Sequence, residues 1–177
     1  MENNPIANLT FRQYGFKKYT FTCDALHYVQ KYIEDAIERR NFVVGISLDI
    51  NNAFNSIKWN EIHKALKDRG FPLYLKRIIY NYFSNRYVEY PTSNGITQKK
   101  SMTAGVSQGS VLGLTLWNIT YDWVLRIPLE RDSTIVGYAD DTLLLNTAEE
   151  IQEAINSSIL LLSKIIRRIH KLGLMYT

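Results

Sequence analysis

Residues 134–145 carry the strongest structural signal in the chain, and they read Thr-Ile-Val-Gly-Tyr-Ala-Asp-Asp-Thr-Leu-Leu-Leu. Two runs of β-branched and aliphatic residues flank a short polar tip, a pattern that is typical of a β-hairpin. Such a hairpin carries Asp140 and Asp141 to the end of a sheet, where two adjacent carboxylates repel each other. Because a bound cation relieves that repulsion, the stretch indicates a divalent metal and chemistry on a substrate that carries phosphate.

A third acid follows an apolar run upstream. Residues 42–49 read Phe-Val-Val-Gly-Ile-Ser-Leu-Asp and predict a buried strand that ends in Asp49. If this strand and the acidic hairpin are neighbours in the sheet, three carboxylates converge. Magnesium prefers oxygen ligands and usually takes only one or two carboxylates from a protein. Two such ions roughly 4 Å apart can activate a hydroxyl and stabilise a leaving pyrophosphate.

The rest of the chain predicts five helices and a second hairpin. The hairpin falls in residues 86–103, around a Ser-Asn-Gly turn at 93–95. Strands and helices alternate without a strict β-α-β rhythm, so we predict an α+β fold, an antiparallel sheet with helices on one face. The helices are expected over residues 22–39, 60–69 and 72–83, from a loop at 107–110 to 124, and from a capping box at 147–150 to Gly173.

Apolar spacing also predicts which side chains of these helices face inward. In the first helix the predicted residues are spaced by four, and in the last helix by three or four. The predicted inward residues are Ala25, Val29, Ile33 and Ile37 in the first helix, Leu75, Ile78, Ile79, Tyr82 and Phe83 in the third, and Ile151, Ile155, Ile159, Leu162, Ile166 and Ile169 in the last.

Composition narrows the class of protein. The 177 residues suffice for one domain with a sizeable core, and 21 Lys and Arg against 17 Asp and Glu give a net charge of +4, which suits a nucleic-acid partner. The single cysteine, Cys23, excludes an intrachain disulfide and fits a reducing, intracellular compartment. The first residues lack the pattern of a signal peptide. Polar residues interrupt the most apolar stretch, 111–125, so we expect no membrane span.

Four motifs resemble those of reverse transcriptases, in the order in which that family carries them. With residues 83–86 and the pair Trp117-Asn118, they are most similar to enzymes of non-LTR, LINE-like retrotransposons of the jockey or I kind. The resemblance spans about residues 13 to 175. The motifs are Gln-Tyr-Gly-Phe-Lys at 13–17, Ser-Leu-Asp-Ile-Asn-Asn-Ala-Phe-Asn-Ser-Ile at 47–57, Gly-Val-Ser-Gln-Gly-Ser-Val-Leu-Gly at 105–113, and Gly-Tyr-Ala-Asp-Asp-Thr at 137–142.

The resemblance implies a polymerase palm. Residues 1–41 would be a partial fingers region with a connecting helix, and residues 42–177 the palm that carries the catalytic motifs. It further implies that the thumb is absent, together with part of the fingers and the endonuclease and RNA-binding regions of a longer polyprotein. Its partners would be an RNA template, a DNA primer and deoxynucleoside triphosphates. The expected location is intracellular, in the nucleus during integration or in the cytoplasm.

The family's metal site maps onto the three acids. The resemblance implies that Asp49 and Asp140 bridge two Mg²⁺ ions, for which Mn²⁺ can substitute. It implies the Ile50 carbonyl as an additional ligand, and Asp141 as a ligating or orienting group.

Five other residues match family positions that contact substrate. Phe54 would lie under the incoming sugar and disfavour a 2′-hydroxyl. Gln108 and Gly109 would lie against the template and the nascent base pair, where glycine permits close backbone approach. Lys17 and Arg86 would lie near the nucleic-acid backbone.

The implied activity is RNA-directed DNA synthesis, the addition of deoxynucleotides to a primer 3′-hydroxyl. An alternative is an inactive remnant that at most binds nucleic acid or a partner, a reading favoured by departures such as Ser107 in place of the usual proline. A maturase of the group II intron kind carries the same acidic turn, but residues 51–55 and 116–118 look LINE-like. An RNA-templated RNA polymerase is opposed by the aromatic Phe54.

Overall fold

A computed structural model describes residues 9–177 of the protein. Residues 1–8 lie outside the described part. They include the start of the predicted fingers region and the first residues, for which the sequence predicts no signal peptide. Within residues 9–177 the chain forms six helices and seven strands. The helices are α1 (Thr22–Glu38), α2 (Ala53–Ser56), α3 (Trp59–Asp68), α4 (Leu73–Phe83), α5 (Val111–Leu125) and α6 (Ile151–Lys171), and the strands are β1 (Phe42–Leu48), β2 (Ile50–Asn51), β3 (Tyr87–Pro91), β4 (Thr97–Ser101), β5 (Ser133–Tyr138), β6 (Asp141–Ala148) and β7 (Met175–Tyr176).

The central sheet has the order β1-β6-β5, and both pairings are antiparallel. The hairpin predicted at residues 134–145 is therefore confirmed as β5 and β6, with the strand before Asp49 as the other neighbour of β6. A short parallel bridge between Gln13 and Gly137 extends the sheet beyond β5.

The main core lies on one face of this sheet. Ile135, Leu144 and Ile46 are paired across the three strands, so their side chains share a face. They pack with buried residues of α5 and α6, such as Trp117 and Ile165. This confirms the predicted α+β fold, an antiparallel sheet with its core helices on one face.

The opposite face of the sheet carries one further helix. Thr134 alternates with Ile135 along β5 and therefore points away from the main core. The hydroxyl groups of Tyr28 and Thr134 form a hydrogen bond of 2.9 Å, which ties α1 to this second face. In addition to the core helices on one face of the sheet, α1 from the predicted fingers region therefore packs on the other face. The division into domains at residue 41 stays a prediction.

Strand β1 is less buried than predicted. Leu48 is its only buried residue, and Phe42 is 50% exposed. The reason is its position, because β1 forms an edge of the three-stranded sheet, where fewer neighbours cover the side chains.

The inward face of α1 is rotated from the predicted one. Ala25 and Ala36 are buried, whereas Ile37 is 63% exposed. Four residues turn an α-helix by about 400°, so a spacing of four drifts by about 40° at each step. Ile37 has thus turned about 120° from Ala25, and Ala36 only about 20°.

The last helix, α6, shows a similar shift. Its buried residues are Ala154, Ser158, Leu161, Ile165 and Ile169, and of these only Ile169 was predicted to face inward. The prediction followed the bulky isoleucines, but small side chains at the start of α6 are the ones that lie closest to the sheet. Ile151 and Ile159, predicted inward, are 46% and 57% exposed; Ile155, Leu162 and Ile166 are half-buried at the edge of the packed face.

Two smaller predictions were also wrong. Thr147 and Ala148 do not open α6 as a capping box, because both belong to β6 and Ala148 pairs with Phe42; the helix begins after Glu150. In α4, Ile79 and Phe83 are buried as predicted, but Ile78 is 58% exposed, because the buried face of this helix is narrow.

The second predicted hairpin is confirmed as β3 and β4. Thr92 and Gly95 close its turn through a backbone hydrogen bond of 2.9 Å. All ten residues of the two strands are exposed. No helix in residues 9–177 combines the length and the apolar character needed to cross a membrane.

Candidate active site

The three predicted acids lie at one end of the central sheet. Leu48 of β1 pairs with Thr142 of β6, so Asp49 and Asp141, which adjoin this last pair, lie at the same end of the two strands. Tyr138 pairs with Asp141 to close the hairpin, which leaves Ala139 and Asp140 as the two turn residues. The prediction that the strand and the hairpin are sheet neighbours is therefore confirmed, and it accounts for the convergence of acids that are 91 positions apart in sequence (140 − 49).

The carboxylates influence one another electrostatically. Partial desolvation of the Asp141 carboxyl raises its pKa although the residue as a whole is exposed, and the negative charges of Asp140 and Asp49 raise it further. Asp49 and Asp141 are exposed and Asp140 is half-buried, so the cluster is open to solvent on one side. Among residues 9–177, no three Asp, Glu, His or Cys side chains stand close enough together to enclose a metal ion as they are placed.

The donor groups of the cluster nevertheless fit a hard divalent cation. All three side chains offer carboxylate oxygens, the ligands that Mg²⁺ prefers, and their mutual repulsion gives a cation something to neutralise. An open cluster with few protein ligands also suits an ion that keeps waters and binds substrate phosphates.

The Ile50 carbonyl, the predicted main-chain metal ligand, belongs to β2, which pairs with β7 near residue 177. Asp49 and Thr177 exchange both backbone hydrogen bonds, at 3.4 and 2.9 Å, beside the short pairing of β2 with β7. In an antiparallel ladder the next residue directs its backbone groups to the other side. The Ile50 carbonyl therefore points away from β7 and is not used by that pairing.

The turn that carries Asp140 has an unusual backbone. Ala139 has a φ of +60°, in the left-handed region that alanine rarely adopts. The buried side chain of Gln13 forms hydrogen bonds with both backbone groups of Ala139. It accepts from the Ala139 N–H at 3.1 Å and donates to the Ala139 carbonyl at 3.2 Å. The indole N–H of Trp117 donates to the same carbonyl at 3.0 Å.

A glycine packs directly on this turn. A Cβ atom on Gly15 would lie 2.2 Å from the Ala139 nitrogen, so only glycine permits this approach. The N–H of Gly15 donates to the Gln13 side chain at 2.9 Å, and the Asn118 amide donates to the Gly15 carbonyl at 2.9 Å. Gln13, Gly15, Trp117 and Asn118 together form the turn clamp.

Phe54 lies next to this clamp in α2. Its ring contacts Phe16 edge-on at 5.9 Å and Trp117 at 5.2 Å between ring centroids. Only 5% of Phe54 is exposed, so the ring belongs to the hydrophobic core and offers no more than its edge to a ligand. Its role at the sugar stays a prediction.

The predicted template loop is anchored beside Phe54. The Val106 N–H donates to the Phe54 carbonyl at 2.7 Å, and the Gly105 N–H to the Ile57 carbonyl at 2.8 Å. Gln108 and Gly109, two and three positions after Val106, are exposed, and Gly109 has a φ of +86° with no atom within 4 Å of where a Cβ would lie. These two residues are thus accessible at the surface beside α2, and their contact with a template stays a prediction.

The two predicted cations are placed differently. Lys17 is half-buried, and its amine donates to the Thr10 carbonyl at 3.4 Å. Arg86 lies just before β3, with its guanidinium 4.5 Å from the centre of the Tyr82 ring, an arrangement that favours attraction between cation and π system. Neither contact tests a role in nucleic-acid binding.

Two buried polar groups of α5 were not predicted from sequence. Asp122 of α5 is 1% exposed, accepts from the Thr10 N–H at 2.6 Å and forms ion pairs with Arg69 and Arg126. Tyr121 bonds to the Thr142 hydroxyl at 2.8 Å, and burial, together with the charge of Asp140, raises its pKa to about 12. Helical periodicity predicts only that both residues belong to a largely apolar helix, and it does not indicate their polar partners.

Comparison with known proteins identifies the family. A family model described as reverse transcriptase (RNA-dependent DNA polymerase) matches residues 1–175. The chain belongs to the reverse transcriptase family. The resemblance predicted from the four motifs is thereby confirmed, and members of this family generally use divalent metal ions and bind RNA templates.

The relatives of this reverse transcriptase chain are retrotransposon proteins. It is 33% identical over 149 residues to the RNA-directed DNA polymerase from mobile element jockey of Drosophila melanogaster, covering 80% of this chain and 16% of that protein. It is 29% identical over 132 residues to a retrovirus-related Pol polyprotein from type-1 retrotransposable element R1 of Bradysia coprophila, covering 73% and 12%. The chain therefore spans less than a fifth of the length of these relatives.

The fold is also similar to that of a solved telomerase. Apo telomerase from Candida tropicalis, truncated from its C-terminal domain, matches 98% of this chain and 37% of its own length with a TM-score of 0.72. The two sequences are 10% identical, so the likeness concerns the fold. It agrees with the polymerase palm-like α+β fold predicted from the motifs.

Proposed function

We propose that this chain is the palm of an RNA-directed DNA polymerase from a non-LTR retrotransposon, and that it adds deoxynucleotides to a DNA primer on an RNA template. The observation that carries the proposal is the sheet register: Leu48, next to Asp49, pairs with Thr142, next to Asp141, and Tyr138 pairs with Asp141 across the turn that holds Asp140. The raised pKa of Asp141 supports the same grouping. Family membership supplies the substrate class.

The acids have distinct roles in this proposal. Asp49 and Asp140 would hold two Mg²⁺ ions, with the Ile50 carbonyl as a further oxygen ligand and Asp141 as an orienting group. When bound, such ions activate the primer 3′-hydroxyl and neutralise charge on the leaving pyrophosphate. The protein's own contribution to phosphoryl transfer is then mostly positioning, which suits a cluster built on two rigid strands and a clamped turn.

The neighbouring residues would select the nucleotide and hold the template. The Phe54 ring, fixed between Phe16 and Trp117, would meet the sugar of the incoming nucleotide with its edge. Gln108 and Gly109 would approach the nascent base pair from the exposed loop beside α2. Lys17 and Arg86 would contribute salt-dependent contacts to the nucleic-acid backbone.

Primer extension on an RNA template with Mg²⁺ or Mn²⁺ tests this function. The wild-type chain is expected to incorporate deoxynucleotides, and Asp140→Asn is expected to abolish incorporation. Glu149→Gln is the matched control, because it neutralises an exposed acid just after β6, away from the turn that carries Asp140. Incorporation by Asp140→Asn at the wild-type rate would contradict the metal assignment. Absence of incorporation by the wild-type chain would favour the alternative, a remnant without activity of its own.

A further inference from the structure

The Ala139 turn combines a strained backbone with a dedicated side-chain partner. Ala139 adopts a left-handed conformation that an alanine does not favour, and it directly precedes Asp140 and Asp141. Such a conformation persists when surrounding contacts over-determine it. Here both of its backbone groups are held by one side chain that lies 126 positions earlier in the sequence.

We propose that Gln13 is a positioning residue of the active site: its carboxamide holds the backbone of Ala139 and thereby fixes the directions in which Asp140 and Asp141 point. This inference rests on the proposed function, because it concerns the same acids. Gln13 touches neither carboxylate and acts only through the backbone of the turn.

Glutamine suits this position for a geometric reason. Its oxygen accepts from the N–H groups of both Ala139 and Gly15, at 3.1 and 2.9 Å, while its nitrogen donates to the Ala139 carbonyl. A carboxamide offers an acceptor and a donor side by side, which an ionised carboxylate does not. Gln13 is 1% exposed, so these bonds form away from competing water.

The rest of the turn clamp keeps Gln13 in register. The short parallel bridge aligns Gln13 with Gly137, through backbone bonds of 2.7 Å from the Gly137 N–H to Arg12 and 2.8 Å from the Tyr14 N–H to Gly137. Asn118 holds the segment that follows by donating to the Gly15 and Phe16 carbonyls at 2.9 and 3.3 Å. These bonds tie residues 12–16 to β5 and α5 on both sides of Gln13.

Amide hydrogen exchange measured by NMR tests the clamp directly. We compare the wild-type chain with Gln13→Met, which keeps length and apolar volume but removes all three hydrogen bonds. The Ala139 amide is expected to exchange at least about tenfold faster in the variant, while the amides in the middle of β5 and β6 keep their protection. Gln30→Met is the control, because Gln30 is exposed and bonds only to Glu34 of its own helix.

Mn²⁺ titration of the same samples reports the consequence for the acids. Loss of a residue that orients metal ligands typically weakens metal affinity about 10- to 100-fold, and we expect at least about tenfold for Gln13→Met. Adding Ala139→Gly to this variant is expected to recover part of the affinity, because glycine adopts a positive φ without strain. A merely structural role would not produce that recovery.

Three results would overturn the proposal. They are unchanged exchange at Ala139, faster exchange spread evenly over both strands, and wild-type Mn²⁺ affinity in Gln13→Met. Gln13→Glu, which keeps the acceptor oxygen and loses the donor, replaces Gln13→Met if that variant does not fold; failure of both to fold would assign Gln13 a structural role. If the wild-type chain binds no Mn²⁺, the proposed function loses its metal site, and exchange at Ala139 still decides the clamp.

Discussion

The ionised carboxylate of Asp141, which we propose acts in metal binding, lowers the stability of the metal-free fold. Its pKa is raised by burial and by the charges of Asp140 and Asp49, so its ionised form is less favourable in the folded chain than in the unfolded one. The contribution of this group to stability is fully present below its unfolded pKa of about 3.9 and is lost as pH rises through its raised folded value.

Neutralising Asp141 is therefore expected to stabilise the metal-free chain. Asp141→Asn should raise the melting temperature at pH 7 in the presence of a chelator, and the gain should shrink towards pH 3, where the wild-type carboxyl is protonated as well. Thermal melts across this pH range provide the measurement. Glu149→Gln, which removes an exposed acid outside the cluster, controls for the change in net charge; an equal gain in both variants would contradict the repulsion.

Phe54 gives a prediction about substrate choice. Phe54→Val shortens a ring that packs between Phe16 and Trp117, and it opens space where we propose that the sugar lies. Incorporation of ribonucleotides relative to deoxynucleotides is expected to rise, by roughly 10-fold or more if a steric clash with the 2′-hydroxyl is removed. Competition assays with both nucleotide types measure the ratio. An unaltered ratio in a variant that still extends primers would leave Phe54 as a core residue only.

The acids and the clamp differ in how far sequence could predict them. Asp49, Asp140 and Asp141 each adjoin an apolar run, so local pattern placed each of them at a strand end, and their convergence followed only on the condition that the strand and the hairpin are sheet neighbours. Gln13 lies in a motif that sequence analysis noted, but its partner is 126 positions away and is a backbone group. No property of either local stretch specifies such a contact.

At the scale of elements, the close packing of residues 12–15 on the β5–β6 turn is the feature most sensitive to substitution. Gly15→Ala would place a Cβ atom 2.2 Å from the Ala139 nitrogen, and backbone cannot yield as a flexible side chain can. We expect a loss of about 1–3 kcal/mol in the free energy of unfolding, measured by urea denaturation. Gly45→Ala is the control, because its Cβ would meet only a Leu145 methyl group at 3.3 Å. Equal losses in both variants would contradict the special role of this approach.

The Asp122 ion pairs tie α5 to α3 and to the first described residues. Asp122→Ala removes a buried carboxylate that Arg69, Arg126 and the Thr10 N–H share. We expect a loss of about 2–4 kcal/mol in the free energy of unfolding, somewhat below that of a fully buried pair because Arg126 is about half exposed. Glu130→Ala, which breaks an exposed pair with Lys164 at 3.9 Å, is expected to cost less than about 1 kcal/mol. Similar losses would show that burial does not strengthen the Asp122 pairs.

Sequence predicted the presence of most elements and was less accurate about their faces. The two hairpins carried clear turn residues and alternation, and both exist. The predicted inward faces of α1 and α6 were wrong because the prediction followed the positions of the isoleucines. Ala36, Ala154 and Ser158 are instead among the buried residues of these helices. Small side chains allow close packing and give only a weak signal in an apolar pattern.

For the whole molecule, the distribution of exposed apolar side chains predicts behaviour in solution. Large apolar residues lie exposed on several helices, and an unusual amount of exposed apolar surface favours association. We expect the isolated chain to self-associate increasingly as its concentration is raised, as measured by light scattering after size exclusion. A monodisperse sample that melts cooperatively would contradict this. The exposed residues include Leu26, Ile37, Leu73, Tyr74, Ile78, Tyr80, Val111, Ile151, Ile159 and Leu160.

On the scale of the whole chain, we propose that the central sheet gathers Asp49, Asp140 and Asp141 into a centre that binds divalent cations. Mn²⁺ binding, followed by electron paramagnetic resonance of the free ion, tests it most directly, with the wild-type chain, Asp140→Asn and the control Glu149→Gln compared at one ionic strength. We predict that the wild-type chain and Glu149→Gln bind Mn²⁺ equally, and that Asp140→Asn weakens binding about tenfold or more. Equal binding by all three proteins would contradict the claim.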